Sequence, residues 1–316
     1  MVIRTWLTEH FDLSVPVVSA PMAGPAQGEL AAAVSAGGGL GMIGVGGGRG
    51  PDWIREQAAV AAAPGRAYGI GLMAWVLEDH PEQLAAVLDV RPALVSVSYG
   101  PFERHVTTLR EAGITVATQV GNLEEAQRAE RAGVDVIVAR GAEAGGHGRA
   151  DVGTLTLLQV VLDAVDAPVL AAGGIGTARG LAAVLAAGAV GGWVGTAFLG
   201  CEEAANTPAA RQRLRETGSA GTGYGRVFDV AQRAGWPPEY GGRAVRNEYF
   251  TRWADRIEEL AKDDDAAREL QEAVDRGDYD VAYLYAGEGV GLLHEERPAS
   301  DVLADLARAE ALLGHG

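Results

Sequence analysis

The sequence has a single cysteine, Cys201, among 316 residues. No intramolecular disulfide can form, and a cysteine-based zinc site is nearly excluded. Positive charge is also scarce: 26 Lys and Arg stand against 42 Asp and Glu, a formal net charge of −16. A chain this acidic repels nucleic acid and anionic membrane, so neither is an expected partner. Long apolar runs are missing too. The start, Met1-Val2-Ile3-Arg4-Thr5-Trp6, lacks the apolar stretch of a signal peptide, and the Ala/Val/Gly-rich segments are broken by charges or helix-ending glycines. None reads as a membrane span, and a reducing cytoplasm is the expected location.

Several catalytic signatures are absent or incomplete. There is no G-x-S-x-G elbow. His294-Glu295-Glu296-Arg297 lacks the second histidine of a zinc protease, and His10, His80, His105 and His315 show no ligand spacing. Gly39-Leu40-Gly41-Met42-Ile43-Gly44 matches G-x-G-x-x-G, but a strand lies inside the match. Pro64 stands where the ribose-binding acid belongs, so a dinucleotide site is not expected there.

What is present is a large apolar fraction, 48%, with 22% charged residues. That composition supports a sizeable core and argues against disorder. A helix-like run ending in Ala-Gly recurs at Ala36-Gly37, Ala112-Gly113, Ala132-Gly133 and Ala187-Gly188. A β-branched run follows, as in Val134-Asp135-Val136-Ile137-Val138. Glycine can take the left-handed conformation that ends a helix, after which the chain enters a strand. Strands alternating with helices imply a parallel sheet, whose buried strands are apolar throughout. Eight strands are placed near Val15–Ala20, Leu40–Ile43, Tyr68–Met73, Leu94–Val97, Thr115–Gln119, Asp135–Ala139, Pro168–Ala171 and Gly192–Gly195. Helices are expected between them, at Gln27–Ala36, Leu123–Arg131 and Ala178–Ala187 among others. The expected fold is α/β, a (β/α)₈ TIM barrel over residues 1–205. A doubly wound open sheet meets the same strand count. Residues 206–316 read as a mostly helical C-terminal extension packed on the barrel. Within it, Ser219–Gly225 reads as a loop, Asn247–Asp278 as charged helix with a solvated acidic run at Asp263–Asp265, and Ala299–Leu313 as a final helix.

Barrels bind ligands where their strands end. The seventh strand runs into Ala172-Gly173-Gly174-Ile175-Gly176 and the eighth into Gly195-Thr196-Ala197-Phe198. Glycines at two adjacent strand ends let backbone N–H groups approach a phosphate. The sixth strand is followed by Arg140-Gly141-Ala142-Glu143-Ala144-Gly145-Gly146-His147-Gly148-Arg149. A flat ligand can lie along such a backbone, and a histidine there can move a proton near neutral pH; an exposed polar loop has the same composition. Ala20-Pro21-Met22-Ala23-Gly24 and Gln119-Val120-Gly121-Asn122 end the first and fifth strands. Met22 could cover a ring and Gln119 could bond the edge of a heterocycle.

Taken in order, these segments resemble the nitronate monooxygenase (2-nitropropane dioxygenase) family and its relatives, the FMN-dependent enoyl-ACP reductases. Glu143-Ala144-Gly145-Gly146-His147-Gly148 is the most specific match. Gly38-Gly39-Leu40-Gly41, Val97-Ser98-Tyr99-Gly100, Arg243-Ala244-Val245-Arg246-Asn247 and Ala286-Gly287-Glu288-Gly289-Val290-Gly291 extend it along the chain. The resemblance implies an FMN flavoprotein, an oxidoreductase that converts alkyl nitronates and dioxygen to a carbonyl compound and nitrite. Gly173, Gly174, Gly195 and Thr196 then hold the FMN phosphate. Ala20, Pro21, Met22, Gln119, Ala144, Gly145 and Gly146 line the ring, and His147 is the catalytic residue. It would orient the nitro group or take an α-proton. Two positions depart from the pattern: Gly71 stands where an asparagine is expected, and Trp193 where a smaller or polar residue is common. No metal is expected. The partners are a small substrate and dioxygen, with a homodimer contact through the extension left open. The rival readings are an NAD(P)H-dependent FMN reductase of enoyl thioesters and a flavin-free barrel binding a phosphorylated metabolite.

Overall fold

Residues 3–314 are described by a computed structural model. Met1, Val2, His315 and Gly316 lie outside it, and with them the expectations placed on His315 and the first two residues. The barrel strands are β1 (Val17–Ser19), β2 (Gly41–Gly44), β3 (Tyr68–Met73), β4 (Leu94–Ser98), β5 (Thr115–Val120) and β6 (Val136–Arg140). A two-residue β7 (Gly146–His147) follows, then β8 (Val169–Ala172) and β9 (Gly191–Val194) complete the barrel. The eight barrel strands pair in parallel in the order β1-β9-β8-β6-β5-β4-β3-β2. Closure comes from Ser19 N–H to the Leu40 carbonyl and Leu40 N–H to the Val17 carbonyl, both 2.9 Å. These bonds exclude the open sheet. No helix among the described residues is long and apolar enough to cross a membrane.

The strands alternate in what they bury. Met42, Leu94, Val136, Val138, Leu170 and Trp193 fill one cluster with Leu7, Phe11 and Leu13 from the N-terminal segment. Val95, Val97, Val116 and Ile137 belong to the other cluster, with the surrounding helices. This is the two-sided burial of a parallel barrel. Thr5 and Thr8 form a reciprocal capping box on the helix Trp6–Phe11, which fixes that segment at its first turn.

Gly113, Gly133 and Gly188 do end their helices at positive φ. At Ala36-Gly37 the expectation is off by one. Gly37 keeps φ −75°, and Gly38 is the left-handed residue at +94°. The G-x-G-x-x-G match has a packing explanation: a Cβ on Gly41 would sit 1.9 Å from the Ala31 carbonyl oxygen, and one on Gly44 would sit 2.4 Å from the Met22 carbonyl carbon.

The extension is more ordered than its sequence suggested. Ser219–Gly225 is a 3₁₀ turn followed by β10 (Thr222–Gly225), which pairs with β11 (Gly242–Val245). β11 pairs in turn with β7, matching Gly242 to His147 and Arg243 to Gly146. Small residues at 219–225 resemble a loop because strand pairing here is a tertiary event. The charged segment splits into helices Glu248–Trp253, Ile257–Leu260 and Asp264–Arg276, and Asp263 caps the last through Ala266 N–H at 2.9 Å. Phe228, Tyr249, Phe250, Trp253 and Leu270 give this region its own apolar cluster. The expected final helix is two helices, Ala299–Ala307 and Ala309–Leu313. Val302, Leu303 and Leu306 bury into the barrel's outer cluster.

Candidate active site

A cavity of about 790 Å³ opens at the C-terminal ends of the barrel strands, and the extension lines part of it. Every residue singled out from the sequence reaches it: Ala20, Pro21 and Met22 after β1, Gln119 on β5, Ala144, Gly145, Gly146 and His147 after β6, Gly173 and Gly174 after β8, and Gly195 and Thr196 after β9. The strand ends that sequence could only name one by one converge because the barrel closes.

At the β8 and β9 ends the backbone is shaped for an anion. Gly173 and Gly174 hold φ of +115° and +69°. A Cβ on Gly173 would meet Thr154 Oγ1 at 2.4 Å, whereas one on Gly174 would touch nothing closer than Glu143 Cβ at 3.8 Å. Among the described residues, the N–H groups of Gly174, Gly195 and Thr196 have no protein acceptor. Consecutive unpaired amides beside positive-φ glycines form an anion-binding concavity. Thr196 Oγ1 accepts from Gly287 N–H at 2.9 Å and keeps its own hydrogen to donate. These donors suit the phosphate of a phosphate ester.

The loop after β6 is held from both sides. Glu143, the carboxylate of the glycine-rich loop, does not face the cavity chemistry. It accepts from Thr154 N–H at 2.8 Å and Thr154 Oγ1 at 2.7 Å, capping the helix Thr154–Leu162. Beyond it, Gly145 packs so closely that an added Cβ would lie 2.3 Å from Gly287 N. Gly146 and His147 are then pinned by pairing with β11.

His147 is oriented by groups the sequence reading did not identify. Its Nε2 lies 2.7 Å from Asp229 Oδ1, in the helix Val227–Gln232. The same carboxylate oxygen accepts from Tyr285 Oη at 3.0 Å. Burial, and then the charge of Asp229, push the Tyr285 hydroxyl well above the usual tyrosine range, so it remains a donor. Trp236 lies flat on the imidazole, with ring centres 3.7 Å apart and planes 3° from parallel. The histidine side chain is 11% exposed and that of Asp229 4%. One ring nitrogen and one ring face are thus fixed, while Nδ1 has no protein partner. No spacing could have signalled Asp229, since 82 residues separate it from His147.

The structure also explains the two departures. A Cβ on Gly71 would lie 2.3 Å from Pro21 Cβ, so β3 has no room for an asparagine beneath that turn. Gly71→Asn is expected to destabilise the fold by about 1–3 kcal/mol through overpacking. Chemical denaturation of the two proteins checks this, and an unchanged midpoint would show that the Pro21 turn yields freely. Trp193 is 2% exposed, and its Nε1 is buried without an acceptor. Its bulk fills the barrel interior at the floor of the cavity.

A family model described as nitronate monooxygenase matches residues 67–309. The nitronate monooxygenase of Pseudomonas aeruginosa is 32% identical over 95% of this chain and 97% of its own length. FabK from Thermotoga maritima superposes with a TM-score of 0.86 at 27% identity, covering 100% of both chains. A nitroalkane oxidase from Streptomyces ansochromogenes gives 0.82 at 29% identity, covering 97% of this chain and 99% of its own.

Proposed function

The chain belongs to the nitronate monooxygenase family, and we propose that it is an oxidoreductase that converts alkyl nitronates and dioxygen to carbonyl compounds and nitrite, with FMN as its flavin. The observation that carries this reading is the convergence of an anion-binding strand-end cradle and an oriented histidine on one cavity. Gly174, Gly195 and Thr196 hold the FMN phosphate through their free amides. Ala20, Pro21, Met22, Gln119, Ala144, Gly145 and Gly146 form the bed for the ring, and Gly173 makes the turn. Bound there, the flavin supplies the electron acceptor for the substrate and the reaction with dioxygen.

The chain's own part is proton placement and positioning. With a proton on Nε2, His147 donates to Asp229 and presents the Nδ1 lone pair. That lone pair takes the α-proton of a neutral nitroalkane. Once protonated, Nδ1 donates to a nitro oxygen of the resulting nitronate. A substrate that arrives as the nitronate needs only the second role. Trp236, packed against one face of the ring, keeps Nδ1 from swinging away. Asp229 and Tyr285 hold the opposite edge.

FabK's likeness keeps an NAD(P)H-dependent reductase as the second reading. Among the residues lining the cavity the one Lys or Arg is Arg140, which is 4% exposed and tied to loop carbonyls. That leaves no free cation on the cavity wall for the phosphate of an acyl carrier. The deciding experiment is anaerobic addition of an alkyl nitronate to the purified protein, followed by visible spectroscopy. Loss of the oxidised flavin bands, with recovery on admitting oxygen, is expected. Bands that respond only to NAD(P)H would transfer the chain to the second reading.

A further inference from the structure

Arg140, the last residue of β6, is 4% exposed, and no carboxylate lies within ion-pair distance of it among the described residues. Its Nη2 donates to the carbonyls of Ala144, Gly145 and Gly146 at 3.2, 3.0 and 2.9 Å, and its Nη1 to that of Arg149 at 3.2 Å. Its side-chain hydrogen bonds among the described residues all leave from Nη1 and Nη2, and Arg140 lines the cavity. Burial lowers its pKa from the usual arginine value, yet an arginine starts high enough to remain a cation.

A buried, unpaired charge is costly, and an uncharged donor could bond a carbonyl at less expense. The loop has also been shaped around the guanidinium. Gly148 sits at φ +149°, and a Cβ there would lie 2.3 Å from Arg140 Nη1. The charge sits directly behind Gly145 and Gly146, the segment assigned above to the flavin ring. The ring becomes anionic when it accepts an electron pair without a full complement of protons, and a fixed cation beside it favours that state.

We propose that Arg140 is an electrostatic residue of the flavin site, raising the flavin's reduction potential through its charge, in addition to bracing the glycine-rich loop. This rests on the flavoprotein reading given above. The test compares the parent with Arg140→Gln and Arg140→Lys, each equilibrated anaerobically with a redox dye of known potential. In Arg140→Gln the equilibrium ratio of reduced to oxidised flavin, at a fixed dye potential, is expected to fall at least tenfold. For a two-electron couple that is about 30 mV. Arg140→Lys retains the charge but loses the fork, and is expected to stay within threefold of the parent. A glutamine variant with the parental ratio overturns the proposal, as does a lysine variant that falls as far as the glutamine one. If Arg140→Gln retains no flavin, the lysine variant decides alone. A parent protein unable to bind flavin would instead remove the reading on which the proposal rests.

Discussion

His147→Ala is expected to slow turnover of a neutral nitroalkane by about 10²–10⁴-fold, the usual contribution of a placed general base, while the flavin stays bound. The reason is local. Nδ1 is the unpartnered ring nitrogen of a histidine otherwise fixed by Asp229 Oδ1 at 2.7 Å and by Trp236 against its face. With a preformed nitronate the loss should be smaller, because no α-proton remains to be taken. Asp229→Asn sharpens the point. An asparagine amide can donate to Nε2, which moves the ring proton to Nδ1 and removes that atom's basic lone pair. A loss of about 10²-fold or more on the neutral substrate is expected, with less effect on the nitronate. Steady-state rates on both substrate forms at one pH check all of this. Parental rates for His147→Ala on the neutral substrate would end its assignment as base.

The second large effect is on cofactor retention. Gly174→Val is expected to reduce flavin occupancy at least tenfold, measured as the flavin-to-protein ratio after dialysis against a limiting FMN solution. At φ +69° a β-branched residue is strained, at a cost on the order of 1–3 kcal/mol. A Cβ there would have only Glu143 Cβ near it, at 3.8 Å, so the valine would take up open space beside the free amide of residue 174, which is assigned to the phosphate. Strain alone would lower the melting temperature without emptying the site. A folded variant that purifies fully loaded would place the phosphate elsewhere.

Sequence alone specified much of this molecule, because the signals involved are local. Helix-ending Ala-Gly pairs marked four of the barrel strands and apolar runs marked the other four, and together they located all eight to within a few residues. A parallel strand buried on both faces has to be apolar throughout, and that pattern survives without knowledge of any partner. The glycine-rich strand ends and the Glu143–Gly148 segment were legible for the same reason: backbone shape there depends on glycine at fixed positions. Left undecided were barrel closure, which rests on two bonds between β1 and Leu40, and the β structure at 222–225, which exists only because β11 lies beside it.

Tertiary structure alone decided how the candidate site is built. Glu143 belonged to the most specific segment without an assigned role, and packing made it a helix cap. Asp229, Trp236 and Tyr285 come from the extension but lie outside the segments there that carried the resemblance, and they meet His147 where β11 pairs with β7. Gly71 became intelligible once Pro21 was seen against it. In each case the partner is distant in sequence. Local propensity fixes what a segment can become, but which charges and rings face one another is set by the packing of elements that share no sequence pattern.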